Sequence, residues 1–517
     1  MLFNSNEFVL GFLPATVLVF FVLGRFSRNL ALGWVIVAST FFYAVWRPSN
    51  LWIIGFSLVV NYAFAQSLIK LAASPERARW RAVVLALGIA FNVLLLGYFK
   101  YANFSLQVLQ DLTGSHYAFQ NIVLPLGISF ITFQKIALLV DVATGRIQVL
   151  GVRNFLLFVM FFPQLIAGPI VHYRETVPQF ERANCRFDAR TFAMAITLFA
   201  TGLFKKVMLA DTMSDMVAPL YHQAAQGEHL YFLDAWLAAL GFTVQIYFDF
   251  SAYSDMACAS ALFFGIRLPT NFDSPLKTGN FIDFWARWHM TLTRFLTSYI
   301  FNPIAFALTR ARAKRKLPVA GARNTPFGVF VLLIAAPVIL TMTIAGLWHG
   351  AGYTFIIFGL LHGLYITFAH ISRQYFPRPS STPKGAIQLR PIIACVGVVV
   401  AASIANVFFR SDYVGAAVDM LKSMVGLHGA ALPAQFFRSF ARLGGLLGIA
   451  LLMPNILQLL AAYQPTLDTP KRPAHIGGIG PVVTWHPNWR WMIFAGCLAA
   501  VSMSRLIGKS EFLYWQF

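Results

Sequence analysis

Charge is what this sequence has least of. Only 11% of its 517 residues are Asp, Glu, Lys or Arg, against about 25% in an ordinary soluble domain. With 58% of the chain hydrophobic, a water-soluble globule is excluded and lipid becomes the solvent. Acids are scarcer still: 19 Asp and Glu face 40 Lys and Arg, a net charge of +21. The basic surplus does not mark a nucleic-acid-binding domain, because it lies in short connectors between apolar stretches, as the positive-inside rule expects. Cysteine is equally sparse. Cys185, Cys258, Cys395 and Cys497 form no CxxC pair and no metal-ligand spacing, so they read as packing residues and no metal site is expected. Also missing are HExxH, GxSxG, Walker A and GxGxxG patterns, which removes the enzyme classes built on them. No repeat recurs at a fixed period, which weakens the case for an inverted-repeat transporter.

What is present is a succession of apolar runs near 8–24, 31–46, 51–70, 82–98, 122–140, 153–171, 191–210, 231–248, 255–266, 327–347, 353–371, 390–409, 443–462 and 490–506. A bilayer core of about 30 Å takes roughly 20 apolar residues per helix, so several of the shorter runs are re-entrant or buried. The fold class is an all-α polytopic membrane protein with about 11–14 transmembrane helices. The first run lacks a basic leader and a small-residue cleavage site, so it reads as a retained first helix. A single domain, 1–462, is followed by a Pro/Gly-rich connector at 463–489, with Pro465, Pro470, Pro473, Gly477, Gly478, Gly480 and Pro481. A last helix with its tail, 490–517, is set apart by it. The connector Arg310 to Arg323 holds Arg312, Lys314, Arg315 and Lys316 and no acid. It is placed in the cytoplasm, either as a topology signal alone or also as an attraction for an anionic donor.

Three polar clusters interrupt the apolar chain. In Gln245-Ile-Tyr-Phe-Asp-Phe-Ser-Ala-Tyr-Ser-Asp-Met-Ala257, Gln245, Asp249 and Asp255 serve either as hydrogen-bond anchors for bundle packing or in chemistry, since unpaired charges in lipid are costly. Leu268-Pro-Thr-Asn-Phe-Asp-Ser-Pro-Leu276 is a helix-breaking loop. It leads to 280–294, read as one amphipathic helix lying at the membrane interface, with Phe281, Trp285, Trp288, His289 and Leu292 on a face. Asp283 and Arg287 are one turn apart and able to pair, with Arg294 a further turn on. In Gly346-Leu-Trp-His-Gly350, His349 is either a satisfied core residue or a general base. A neutral imidazole can take a proton from a hydroxyl as its oxygen attacks a thioester carbonyl, with no need of a metal.

With these residues in view, the chain resembles the membrane-bound O-acyltransferase superfamily, in the branch of alginate O-acetyltransferase and the D-alanine transferase of lipoteichoic acid. The resemblance runs through Phe3-Asn-Ser-Asn-Glu-Phe8, Leu96-Gly-Tyr-Phe-Lys-Tyr-Ala-Asn103, Leu124-Pro-Leu-Gly-Ile-Ser-Phe130 and Phe162-Pro-Gln-Leu-Ile-Ala-Gly-Pro169. It continues in Tyr247-Phe-Asp-Phe-Ser-Ala-Tyr-Ser-Asp-Met-Ala257, Phe284-Trp-Ala-Arg-Trp-His289, Leu347-Trp-His-Gly350 and Phe512-Leu-Tyr-Trp-Gln-Phe517. It departs from the pattern at Ala252, Met290-Thr-Leu-Thr293 and Gly352-Tyr353, none of which removes a presumed catalytic group.

The resemblance implies a ring of helices around a thinned centre with a catalytic tunnel. It implies His349 as the essential histidine and His289 as the second, lining the donor approach. Asn280, Arg287, Trp288 and Trp348 are the accompanying donor-binding residues. It implies acetyl-CoA as donor substrate with no permanently bound cofactor, and a multi-pass protein of a bacterial inner membrane. A periplasmic transferase and exopolysaccharide biosynthesis proteins are its expected partners, and its product an O-acetylated polysaccharide: alginate, cellulose, peptidoglycan or another exopolymer. Tyr514 in the tail is either an acyl relay to such a partner or part of an aromatic interfacial belt. The alternatives are acylation of a lipid or protein hydroxyl, and transport through a path lined by Asp249, Asp255, His289 and His349.

Overall fold

The computed structural model describes residues 1–72, 75–321, 325–376, 389–432, 435–470 and 482–506, and among these residues the regular structure is helical. In chain order the helices are α1 Glu7–Gly24, α2 Arg28–Ala44, α3 Asn50–Ala72, α4 Ala78–Thr113, α5 Ile128–Ala143 and α6 Val152–Met160. Next come α7 Tyr173–Glu181, α8 Ala189–Ala225, α9 Phe232–Leu262, α10 Phe281–Trp285 and α11 Met290–Leu296, which runs on through a π turn to residue 314. The rest are α12 Phe327–His349, α13 Tyr353–Tyr375, α14 Leu389–Arg410, α15 Val414–Met424, α16 Phe436–Leu452 and α17 Trp489–Met503.

Among the described residues, eight helical stretches are long and apolar enough to cross a bilayer, and the protein is a multi-pass membrane protein. The bare count of fourteen apolar runs is too high in two places. The runs 231–248 and 255–266 are one continuous helix, α9, 31 residues long. The run 153–171 is no span: α6 stops at Met160, a four-residue turn follows at Phe162–Leu165, and the chain then leaves helical form. Hydropathy cannot tell apolar residues buried in protein from those facing lipid, and both segments are buried. The outward surface is apolar as lipid requires, with Trp52 85% and Phe437 86% exposed.

Polar contacts between helices replace the hydrophobic drive that lipid cannot supply. Asn61 of α3 and Asn92 of α4 exchange amide hydrogen bonds of 3.2 and 2.6 Å. Lys206, in a π turn of α8, reaches Asp249 of α9 and Asp211 of its own helix, each at 2.7 Å, and its neighbour Lys205 reaches Asp255 at 2.8 Å. Buried charges survive where they are paired in this way. The final helix lies along α8, and the connector before it is anchored by Trp485, whose indole N–H donates to Thr197 at 3.2 Å. Pro473, Gly477, Gly478, Gly480, Pro481 and the tail with Tyr514 lie outside the described residues.

Two faces result. Arg25, Arg28, Arg146, Arg153, Arg182, Arg186, Arg267 and the 310–316 cluster lie at one end of the helices, where Asn154 holds Glu181 at 2.7 Å and Arg267 reaches the Gln464 carbonyl at 2.7 Å. We call this the basic face. At the opposite end, the turn at 350–352 sits beside the close of α4, where the Tyr353 hydroxyl donates to Asp111 at 2.9 Å.

The element that matters most for the site is the hairpin α12–α13. A Cβ added at Gly359 would stand 2.4 Å from the Met342 carbonyl, and one at Gly346 would stand 2.2 Å from that of Phe355. The two backbones therefore touch, as small residues permit between membrane helices. We expect Gly359→Val to cost about 1–3 kcal/mol or more of packing strain, read as a lower thermal midpoint and yield in detergent. Gly448→Ala, where a Cβ meets nothing within 4 Å, leaves both unchanged.

Candidate active site

The hairpin delivers two histidines. His349 is the last residue of α12, and His362 sits on the buried stripe of α13. The last carbonyls of α12 have no intrahelical partner and need donors. Lys100 and Tyr101 supply them from a π turn in α4, Gly97–Tyr101, a type of irregularity common at functional sites. The Lys100 ammonium donates to the carbonyls of Trp348 at 2.5 Å and His349 at 2.9 Å, and the Tyr101 hydroxyl donates to that of Leu347 at 2.9 Å. A cation at a helix C-terminus also meets the negative end of the helix dipole.

His289 enters from another direction. Residues 280–294 are not one interfacial helix: α10 and α11 are separated by a turn, and His289 holds left-handed backbone, φ 44° and ψ 49°. The cause is the preceding loop, whose backbone pairs with the turn. The Met290 N–H donates to the Asn271 carbonyl at 2.9 Å and the Asp273 N–H to the Arg287 carbonyl at 3.0 Å. The segment is buried, so its apolar periodicity reports protein contacts rather than a membrane surface. A residue other than glycine at positive φ is uncommon, though histidine tolerates it better than most, and such backbone concentrates at functional sites.

Asn271 fixes the imidazole as well. Its Oδ1 accepts from the Thr291 hydroxyl at 2.9 Å and the Thr291 N–H at 3.3 Å, and lies 3.1 Å from His289 Nδ1. Surrounded by donors, that oxygen requires the proton of His289 on Nδ1, which makes Nε2 the basic nitrogen. The rings of His289 and His349 are 6.3 Å apart between centroids.

Three cavities line up with these residues. One of about 310 Å³ is lined by Trp46, Lys100, residues 123–130, Trp348 and His349, and belongs to the face opposite the basic one. An inner one of about 20 Å³ is lined by Trp285, Trp288, His349, Phe358, His362 and Asn406, among others. A cleft of about 280 Å³ on the basic side is lined by Trp285, Met290, Thr291, Thr293, Arg294 and Asp468, among others. His349 is thus a shared wall of the first two, and Trp285 of the last two. His349 thus borders both the outer and the inner cavity.

A model of the membrane-bound O-acyltransferase family, MBOAT, matches residues 40–317. The chain belongs to this family. It is 36% identical to a peptidoglycan O-acetyltransferase of Helicobacter pylori over 460 residues, covering 84% of this chain and 81% of the relative. It is 32% identical to a probable alginate O-acetylase AlgI of Pseudomonas putida over the full length of both. It is 29% identical to a teichoic acid D-alanyltransferase of Bacillus subtilis over 259 residues, 49% of this chain and 60% of that one. The protein is an O-acyltransferase.

Against this MBOAT frame, the anticipated residues divide into groups. His349, Trp348 and Trp288 line these cavities, and His289 stands beside them. Asn280 caps α10, accepting from the Asp283 N–H at 2.9 Å and donating to the Asp283 carboxylate at 2.8 Å, and Arg287 joins the 271–273 loop through its carbonyl. The Asp283–Arg287 pair imagined on one helix is supplanted by these contacts. Arg294 forks onto Glu175 at 2.7 and 2.9 Å. Asp249 and Asp255 close the lysine pairs on α8, and Gln245 is buried on α9.

Sequence reading missed His362, Asn406, Lys100 and Asn271. His362 carries the same signature as His349, a histidine in an apolar run flanked by glycines, here Gly359 and Gly363. Its Nδ1 accepts from the Trp285 indole at 3.2 Å, so its Nε2 bears the proton. Asn406 was visible as a polar break in the run 390–409. Lys100 stood in a quoted motif without a role. We expect Lys100→Met to lower acyl transfer about 10–100-fold while the protein still elutes as folded, since a shift near 1 Å in a reacting group costs about that much. Transfer rate per folded molecule in detergent is the measurement.

Proposed function

We propose that this protein takes an acetyl group from acetyl-CoA on the cytoplasmic side of a bacterial inner membrane and delivers it to the far side for O-acetylation of a polysaccharide. The single observation carrying this reading is the position of His349, which lines both a cavity of the outer face and an inner cavity whose Trp285 also lines a cleft on the basic side. The basic face is the cytoplasmic one by the positive-inside rule. The inner cavity, about 20 Å³, leaves no room for a fatty chain. The acceptor class rests on the relatives, named for peptidoglycan and alginate.

In this reading the pantetheine arm of the donor enters past Arg294 and Trp285 and sets its thioester carbonyl between His289 and His349. An acceptor hydroxyl arrives from the outer cavity. His349 takes the hydroxyl proton as the oxygen attacks the carbonyl carbon. The tetrahedral intermediate then expels the CoA thiolate, which recovers the proton from the imidazolium, and the ester leaves outward. His289, its Nδ1 proton committed to Asn271, positions the donor. The first acceptor is either the polymer itself or the phenol of Tyr514, which would pass the acetyl group to a periplasmic transferase.

His349→Ala should abolish polymer acetylation, a loss of at least about 100-fold, with normal abundance of folded protein; retained acetylation in that variant refutes the reading. Mass spectrometry of muropeptides, exopolymer and lipids from a deletion strain decides the acceptor, and loss of acyl groups from lipid alone would reject polysaccharide. Trp288→Ala, by enlarging the inner cavity, should raise transfer from propionyl-CoA relative to acetyl-CoA. Labelled acetyl-CoA followed by peptide mapping tests Tyr514.

A further inference from the structure

Far from His349 in sequence and chemistry, on the face opposite the basic one, three ligand-bearing side chains meet. His229 lies in the loop between α8 and α9, Asp419 on α15, and His428 in the turn that follows it. His229 Nδ1 is 2.5 Å from Asp419 Oδ2, and His428 Nε2 is 3.7 Å from Asp419 Oδ1. The two imidazoles stack at 4.0 Å between centroids, 25° from parallel.

The scaffold under them is fixed. The Phe232 N–H donates to the Gly429 carbonyl at 3.0 Å, and the Trp236 indole donates to the Met424 carbonyl at 3.0 Å. These bonds join the start of α9 to the end of α15 and hold the two loops in register.

The orientation of His428 is the telling detail. Its Nδ1 lies 2.9 Å from the Ser423 hydroxyl oxygen, so its Nε2 is the ring nitrogen turned toward the Asp419 carboxylate. With Nε2 on a metal ion, the Nδ1–H would donate to the Ser423 hydroxyl, and the two rings, stacked at 4.0 Å, would face the same ion as the carboxylate.

We propose that His229, Asp419 and His428 bind a divalent transition-metal ion, with zinc as the best match to two imidazoles and one carboxylate. The three ligand atoms already lie within 4.8 Å of one another. Bonds of about 2.0–2.1 Å in a tetrahedron set ligands roughly 3.3 Å apart, so small side-chain shifts complete the site. The ion takes the place between His229 Nδ1 and Asp419 that a proton now holds, the ring keeping its proton on Nε2. Lys422, half exposed and 3.7 Å from Asp419, turns to solvent. Ser423 is the outer partner that orients His428, as metal-bound histidines require. The fourth position stays open to water, and the ion clasps the α8–α9 loop to α15.

The test uses the full chain in detergent, stripped with a chelator and titrated with zinc chloride by calorimetry and thermal denaturation. We expect one zinc per chain that excess magnesium does not displace, with a rise in thermal midpoint on loading. Affinity should fall about 10–100-fold in Ser423→Ala, which keeps all three ligands, and be lost in the His229→Ala/His428→Ala double variant. Zinc-edge absorption of the loaded protein should report two imidazoles. If wild-type protein takes up no more zinc than the double variant, or if Ser423→Ala binds as tightly as wild type, the proposal is overturned. Acyl transfer measured alongside reports on folding of each variant independently of zinc.

Discussion

A lysine that spends its charge on two peptide carbonyls is the contact on which the site depends. In an apolar surround the last carbonyls of α12 have no water to turn to, and each one left without a donor would cost several kcal/mol. Lys100 and Tyr101 meet that need. In doing so they tie the end of one helix, and the histidine it carries, to the middle of another nearly 250 residues away. The same pressure explains Asn271 on His289, Asn61 on Asn92, and the lysines of α8 on the aspartates of α9. Each is a polar group that membrane burial has forced into a specific partnership, and specific partnerships set positions.

Irregular backbone accompanies several of these positions. The π turns at Gly97–Tyr101 and Lys205–Ala210 each carry a lysine that reaches across to another helix. The left-handed His289 interrupts what would otherwise be one helix. In membrane interiors such departures are tolerated only where protein or a cavity satisfies the freed groups, and these three border the cavities beside His349 or the ion pairs.

The close approach of α12 and α13 gives the site its compactness. Gly346, Gly359 and Gly363 remove the side chains that would separate the two backbones. His349 and His362 can then line one inner cavity, and the Phe358 and Phe409 rings close around them, each in edge contact with His349 at 6.0 and 5.4 Å. A site this narrow excludes bulk water, whose attack on an acyl donor would compete with transfer.

Composition, hydropathy and the order of motifs were enough to establish a helical membrane protein and its family, and to single out the histidine at the end of α12 as a candidate. Those properties are local: apolar runs of a given length, and short motifs whose residues are neighbours in the chain. Local reading failed where burial in protein mimics burial in lipid, as in 153–171 and 280–294, and where function comes from residues apart in sequence. His362, Asn406, Lys100 and Asn271 gain meaning only from what packs against them. The meeting of His229 with Asp419, 190 positions on, has no linear signature at all. Periodicity records which face of an element is apolar, but not what that face touches, and only the tertiary structure brings distant polar groups within a few ångströms of each other.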